Sequence, residues 1–403
     1  MKKKLLLLGG SAQQVTAIET AKRLGYETVL CDYLEDNPGQ YAADRYYLIS
    51  TTDKDEVLRV AKEEKVDGIL AYASDPAAPT AAYVAEKMGL PTNPWQAVEI
   101  LCNKDKFRVF LRENGFHTPF SGSYTSIKEI MADREKYQLP VIVKPTDSSG
   151  SKGVTVLHSW DGLEHAYDMA ISFSRTKRII VEEYIEKKHP YLIGGDIFIQ
   201  DGKVILWGLM NCHRDSSVNP LVPAGKSYPL KLSDADAGLV KDTLQRMIDR
   251  LQLHNGAVNV ELVIDGKNRV WPIDIGPRNG GNRIPELLGL IFGVDVVEMS
   301  VKAAMGDTIS VDIGRGMPYY ATYNIHSQEN GILDEIFFSR KLETFIIDKY
   351  IYKVKGDYVE YFDNAAKVIG ILFLRFPSEQ IMYEILSNIN NYIEIKLRQE
   401  DKA

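Results

Sequence analysis

A chain of 403 residues is longer than one hydrophobic core organises well, and its length points to two to four structural units. With 45% hydrophobic and 26% charged residues it reads as a globular chain, and a net charge of -7 with a pI near 5.6 argues against a nucleic-acid surface. Three cysteines, Cys31, Cys102 and Cys212, lack paired metal-ligand spacing and suit a reducing, cytoplasmic setting; the four leucines before Gly9-Gly10 are too few for a signal peptide, and no later stretch approaches a membrane span.

In chain order, residues 1–95 alternate strand and helix. Strands are predicted at Lys4–Leu8, Thr28–Cys31, Tyr46–Ile49 and Gly68–Ala71, and helices at Gln13–Leu24, Asp53–Glu64 and Ala77–Met88. The pattern is a small parallel α/β sheet with a crevice beyond its strand ends. Gly9-Gly10-Ser11 lacks the full dinucleotide fingerprint, but Asp32 stands where a ribose-binding acid would, so an NAD-dependent oxidoreductase stays as an alternative. A helical linker spans 96–119, its helix predicted from Trp95 to Glu113 with Lys104 and Lys106 near the middle.

Residues 120–190 form a smaller unit. Strand 141–144 ends in Lys144 and is closed by Pro145; Asp147, Ser148, Ser149, Gly150, Ser151, Lys152 and Gly153 follow, and a strand resumes at 154–156. Lying between two strands, the Ser/Gly run is not a Walker A loop, which needs a following helix. It can still fold over a polyanion and present backbone N–H groups and a lysine; a flexible hairpin loop is the alternative reading. A helix at Asp161–Phe173 and a strand at Arg178–Glu183 complete the unit.

Residues 191–305 carry a hairpin of Asp196–Gln200 and Lys203–Gly208, a polar loop from Asn211 to Ser227, and a helix from Ser233 to Leu251 with Asp236 in the capping position. Strands Val258–Ile264 and Arg269–Ile275 then flank a turn centred on Gly266-Lys267. With Asp265 paired to Asn268, Asn259 faces Asp274 and Glu261 faces Pro272, so these four share one face. Glu261 and Asp274 are then diagonal neighbours about 7 to 8 Å apart at the backbone. A solvated acidic hairpin is the alternative, but Asp274 sits between Ile273 and Ile275, where a lone buried carboxylate is costly and a cation resolves the cost. Mg²⁺ suits carboxylate oxygens combined with nucleotide phosphates. Helices at Ile284–Leu290 and Val294–Met305 close this part, and residues 306–403 alternate strands and turns before a helix from Ser378 to Ile389.

Lys106, Lys144 with its Ser/Gly loop, Val181-Glu182-Glu183-Tyr184-Ile185, Glu261 and Pro272-Ile273-Asp274-Ile275-Gly276-Pro277-Arg278 appear in an order that resembles the ATP-grasp superfamily, nearest its carbamoyl-phosphate-synthase-like and amino-acid-ligase branches, over residues 1 to about 380. The resemblance implies an α/β and α+β multidomain fold: a Rossmann-like N-terminal domain, an ATP-grasp fold of two α+β lobes, 120–190 and 191–305, and a C-terminal α+β portion, 306–403, completing the large lobe. It implies ATP held by Lys106, Lys144 and residues Ser148 to Gly153, adenine at the backbone of Glu182 and Ile185 with Glu183 and Tyr184 alongside, and ribose at Asp196. Glu261 and Asp274 would hold Mg²⁺ or Mn²⁺, while Arg278 and Lys144 act on the reacting phosphoryl group.

One departure stands out: the family's E-x-N-x-R reads D-I-G-P-R, so Gly276 stands where the resemblance implies an asparagine ligand; either substrate, water and Asp274 alone hold the second ion, or Asn259 supplies the missing oxygen. The activity implied is an ADP-forming ligase joining a small carboxylic or amino acid to an amine through an acyl phosphate. A small-molecule kinase and an ATP-binding protein impaired by Gly276 are the alternatives. The partners implied are small molecules, with neither nucleic acid nor membrane, and a homodimer is common in the family. His213, Arg214, Lys226 and Arg283 are candidate cations for the acid, and the crevice at Gly10, Ser11 and Asp75 is a candidate surface for the second substrate.

Overall fold

The computed structural model describes residues 2–398. Its N-terminal sheet is parallel, in the order Arg45–Leu48, Glu27–Asp32, Lys4–Leu8, Gly68–Leu70. The leucine strand is central and covered on both sides, which is why it is apolar at every position from Leu5 to Leu8. Leu6 and Leu8 pack against helices Lys54–Glu64 and Ala78–Met88. Leu5 and Leu7 pack against helix Val15–Arg23 and against Val297, Val301 and Met305 of helix Val296–Met305, which belongs to the other end of the molecule. This sheet is therefore docked on the rest of the molecule through its core, not through a linker alone.

The small lobe is an antiparallel sheet ordered Ser121–Tyr124, Ile179–Glu183, Val141–Pro145, Thr155–Leu157, backed by helices Ile127–Asp133 and Leu163–Ser172. The large lobe is an eight-stranded sheet running Val270–Gly276, Gly256–Ile264, Leu192–Gln200, Lys203–Asp215, Asn219–Tyr228, Tyr320–Ile325, Gly370–Arg375, Ile346–Ile351. One face packs on helix Asp234–Leu251, started by a Ser233 side chain that accepts from the Asp236 N–H, and the other on helices Ile284–Phe292 and Val296–Met305. A three-stranded sheet of Tyr358–Val359, Gly331–Phe338 and Ile393–Arg398, with helix Glu379–Ser387, finishes the described chain. Among the described residues no helix is long and apolar enough to cross a membrane.

Two expectations about elements fail. The single helix expected from Trp95 to Glu113 is two helices, Trp95–Cys102 and Lys104–Glu113, separated at an extended Asn103 with φ -123° and ψ 112°. The polar loop expected from Asn211 to Ser227 is most of a hairpin, because both its strands turn one face to a polar cleft and so lack an apolar alternation.

Gly68 marks how tightly the N-terminal sheet is seated: a Cβ there would lie 2.4 Å from the Ala304 carbonyl oxygen and 2.7 Å from Met305 Sδ. Gly68→Ala must part the sheet from helix Val296–Met305, and its expected cost is about 2 kcal/mol, read as a lower urea midpoint than the parent. An unchanged midpoint would show that the two are not packed this closely.

Candidate active site

The acidic hairpin is built differently from the simple two-residue turn. Ile264 pairs with Val270 and Leu262 with Pro272, but Glu261 pairs with Asp274, so Ile273 is an extra residue in a β-bulge. The bulge turns Asp274 onto the face of Glu261 and makes them direct neighbours, with Asn259 opposite Gly276; Pro272 moves to the other face with Leu262. Without the bulge, Asp274 would lie opposite Val260 and point into the core.

Behind this hairpin lies a cluster that the sequence did not announce. Arg108, 1% exposed, donates from Nε to Glu182 Oε1 at 2.6 Å and from Nη2 to the Ile273 carbonyl at 2.7 Å. Lys144 Nζ is 2.6 Å from Glu182 Oε2. Burial pushes the Glu182 carboxyl up, but the two cations outweigh it and bring it down to about 2. Burial lowers the Lys144 ammonium; Glu182 opposes this, while Arg108 and Lys104 add to it. The Glu182 carboxylate stays ionised because two cations, Arg108 and Lys144, contact it directly.

The lysine that enters the cleft is Lys104, not Lys106. Lys104 begins its helix directly after the break at Asn103; its Nζ donates to the Ser148 carbonyl at 2.8 Å and lies 3.3 Å from Asp274 Oδ2. Lys106, about half exposed, pairs with Glu99 at 3.2 Å outside the cleft. Two residues along a helix are about 200° apart around its axis, so only one lysine of the pair can face inward. Burial raises the Asp274 carboxyl, but Lys104, Lys144 and Arg278 together hold it below the ordinary value.

The Ser/Gly loop arches over this group. Its base is tied down by Asp147, whose carboxylate accepts from Ser174 Oγ and from the N–H groups of Arg175 and Thr176. Its tip reaches across the cleft: Ser151 Oγ donates to the Leu221 carbonyl at 2.9 Å, and the Ala365 N–H donates to the Gly150 carbonyl at 3.1 Å. Ser148, Ser149, Gly150, Ser151 and Lys152 line the cleft, whereas Gly153 turns against helix Leu163–Ser172. The enclosed volume is about 1050 Å³.

At the inner edge of the small lobe, Glu183 accepts from the Phe120 N–H and donates its own N–H to the Phe120 carbonyl, and the Tyr184 N–H donates to the Pro140 carbonyl. The Ile185 N–H has no partner among the described residues, and all four residues of 182–185 line the cleft.

Two family models match the chain, an ATP-grasp N-terminal domain over residues 18–92 and an ATP-grasp domain over residues 137–286, together more than half of it. The chain belongs to the ATP-grasp superfamily. It is 34% identical over 195 residues to a formate-dependent phosphoribosylglycinamide formyltransferase of Bacillus velezensis, covering 45% of this chain and 48% of that protein. It is 23% identical over 303 residues to the carbamoyl phosphate synthase large chain of Thermotoga petrophila, covering 73% of this chain and 27% of that protein. The chain thus spans about a quarter to a half of the length of these relatives. An L-amino acid ligase from Bacillus licheniformis superposes with a TM-score of 0.81 at 20% identity, covering 99% of both chains, which establishes the fold.

Within this ATP-grasp chain, Asp196 does not reach the cleft. It is 1% exposed, and its oxygens accept from Asn259 Nδ2 and the Gly280 N–H, both at 2.8 Å. A ribose contact at Asp196 is therefore set aside; the residue orients Asn259, whose amide oxygen has no partner among the described residues and whose side chain lines the cleft. Arg278 lies in the cleft wall, donating from Nε to Asp75 Oδ1 at 2.7 Å and from Nη1 to the Asn279 carbonyl at 3.0 Å. That pair fills the space beside Gly276, where a Cβ would lie 2.6 Å from Asp75 Oδ1. Gln13 Oε1 accepts from the Asn282 N–H at 2.7 Å, so the N-terminal domain supplies a second contact to the same segment. Arg283 turns out of the cleft, bonded to Tyr352 and Glu286 and stacked over Tyr350.

The donor set of Glu261 and Asp274, facing open cleft space beside Asn259, fits an oxygen-loving divalent cation whose remaining ligands come from a nucleotide. Each carboxylate is now balanced by one cation, Arg214 for Glu261 at 3.3 Å and Lys104 for Asp274.

Glu182→Gln leaves Arg108 and Lys144 buried without a counter-charge, and the expected loss at pH 7 is about 3 kcal/mol or more in urea unfolding. Because the folded Glu182 carboxyl is held near 2 against an ordinary value of 4.5, its contribution is complete above 4.5 and fades as pH falls toward 2. The gap between parent and variant should therefore be constant from pH 6 upward, by about one unit of margin, and shrink in acid; a gap that widens in acid would contradict the assigned charge state.

Proposed function

We propose that the chain is an ADP-forming ligase that activates a small carboxylic or amino acid with ATP and passes the acyl group to an amine. The observation that carries this reading is the bulge-built pair Glu261 and Asp274 facing Lys104, Lys144 and an arched Ser/Gly loop in one cleft. That is the equipment for phosphoryl transfer by positioning and charge, with no protein nucleophile.

ATP fits with its adenine edge at the free Ile185 N–H and its phosphates under the loop beside Lys104. Glu261 and Asp274, with the Asn259 amide oxygen, would hold Mg²⁺, which supplies charge stabilisation for the γ-phosphoryl oxygens when bound with ATP. Lys144 keeps Glu182 ionised while facing the cleft, and the loop amides exclude water from the acyl phosphate. The attacking carboxylate oxygen takes the γ-phosphoryl group and ADP leaves. The amine then adds to the acyl carbon, and phosphate leaves as the C–N bond is completed. Arg278 is the donor nearest the N-terminal domain, where the amine has room to approach past Asp75.

A second reading, nucleotide binding with little turnover, is favoured by Gly276. The Asp75–Arg278 pair already occupies the space of the missing side chain, so Asn259 is the amide oxygen left to serve.

The test is ADP release with Mg²⁺-ATP over a matrix of acids and amines, offered singly and in pairs, with product mass read alongside. The expected result is ADP together with a condensed product. Asp274→Asn should abolish release while leaving the urea midpoint close to the parent; full turnover in this variant would sink the metal assignment. Lys104→Met should raise the KM for ATP by roughly 10-fold or more, and Lys106→Met should leave it within about 2-fold. The reverse order would return the phosphate role to Lys106.

A further inference from the structure

The floor of the cleft continues past the two carboxylates along one face of the large sheet, in a row that steps by two residues between strands. Asp274 pairs with Glu261, Glu261 with Gly194 and Gly194 with Met210; two residues beyond Met210 on the same strand, Cys212 pairs with Lys226 and Lys226 with Thr322. Asn324, two residues beyond Thr322, faces the same side, and Arg214, two beyond Cys212, reaches back to Glu261.

Three groups on this row are under-satisfied. Lys226 is 7% exposed, and its Nζ meets only Cys212 Sγ, at 2.7 Å, among the described residues; a thiol is a weak partner for an ammonium. Gly194 makes room for it, since a Cβ there would lie 2.8 Å from Nζ. Arg214 Nε is buried without an acceptor, while its other nitrogens bond Glu261 and the His213 carbonyl. Asn324 is 1% exposed; its Nδ2 donates to the Pro223 carbonyl at 2.8 Å, which leaves Oδ1 buried with no donor. All three residues line the cleft. A buried charge or carbonyl oxygen left without a partner is costly, and a bound ligand removes that cost.

We infer that this row is the acid-substrate subsite: Lys226 and Arg214 take the carboxylate beside Glu261, and Asn324 Oδ1 takes a hydrogen-bond donor at the far end of the same molecule. The inference rests on the ligase reading and adds a substrate class. Donors lie at the Glu261 end and an acceptor at the Asn324 end, so the acid is one that carries an ammonium or amide donor away from its carboxylate. A plain alkanoic acid would leave Asn324 Oδ1 unpaired, and a site built around a hydrogen bond discriminates strongly against the analogue that lacks it. Lys226 points toward Gly194 and away from Asn324, so the two ends are further apart than the carboxylate and ammonium of one α-carbon.

The experiment is acid-dependent ADP release by the full chain with matched acids, 4-aminobutanoate against butanoate and glutamine against 2-aminopentanoate, at saturating amine. The parent should favour the donor-bearing member of a pair by about 30-fold in kcat/KM. Lys226→Met should raise the KM for the acid by a similar factor and leave the KM for ATP unchanged, and Asn324→Leu should erase the preference within each pair. The parent series needs no variant, so it stands if Asn324→Leu fails to fold. Acid-dependent release that ignores the donor, or a Lys226→Met effect confined to ATP, overturns this inference and leaves the ligase intact. Release that no acid stimulates overturns both.

Discussion

The Arg108 guanidinium, buried where the two lobes meet, fixes the geometry of the cleft. It comes from the connecting helix Lys104–Glu113, bonds Glu182 on the small lobe, and ends on the carbonyls of Pro272 and Ile273 in the large lobe. A buried ion pair gains little over an apolar contact in stability, because the cost of desolvating both charges is so large. What it does impose is position: the fork has fixed directions, and its acceptors belong to two segments, one on each lobe. The carbonyl it bonds most closely belongs to the bulge residue Ile273, which lies next to Asp274. The same side chain therefore supports Lys144, through Glu182, and the bulge that aims the Asp274 carboxylate into the cleft.

The N-terminal domain completes the site from the opposite side. Its sheet is seated through Leu5 and Leu7 on helix Val296–Met305, and it offers Asp75 to Arg278 and Gln13 to the Asn282 N–H. Gly276 is part of this arrangement. A larger residue there would collide with Asp75, so the small residue at 276 and the interdomain ion pair depend on each other. Burial works against the Arg278 charge, but Asp75, Asp196 and Asp274 raise its pKa further, so it stays a cation at any working pH.

Much of this was legible in the sequence because it rests on short-range rules. The alternation of strand and helix up to Gly89, the Ser233 cap and the two acidic strands follow from period, capping and turn chemistry, and the structure has them within a few residues. What failed depends on single backbone events or on distant partners. One extended residue, Asn103, decides which of two lysines faces the cleft, and one bulge residue decides the face of Asp274; neither has a signature in composition. The expected pairing of Asn259 with Asp274 was two residues out of register, one from the turn, where the Asp265 N–H donates to the Arg269 carbonyl and Ile264 pairs with Val270, and one from the bulge; together the two shifts leave Glu261 and Asp274 on the one face expected for them. The hairpin through residues 211–227 read as a loop because its cleft face is polar, and Arg108 drew no reading at all because its partners lie far along the chain. Of the two lysines in the Lys-Asp-Lys-Phe run, Lys104 enters the cleft and Lys106 pairs with Glu99 outside it.

The loop over the cleft shows how such a site closes and still exchanges its ligands. Its base is held by four hydrogen bonds to Asp147, three to the carboxylate and one from Arg175 to its carbonyl, whereas among the described residues its tip is held across the cleft by two, Ser151 to Leu221 and Ala365 to Gly150. At a net value of about 1 kcal/mol each, two such bonds favour closure by roughly 30-fold, small enough to be broken each time nucleotide enters or leaves. The two anchors lie on the hairpin that carries Arg214 and Lys226 and on the segment containing Ala365, so closure sets the phosphate-facing amides against the wall that receives the acid. A stronger latch would slow exchange, and a loop without anchors would leave an acyl phosphate open to water. The arrangement joins a rigid base to a weak tip, and the rigid part is where the sequence placed its one carboxylate, Asp147.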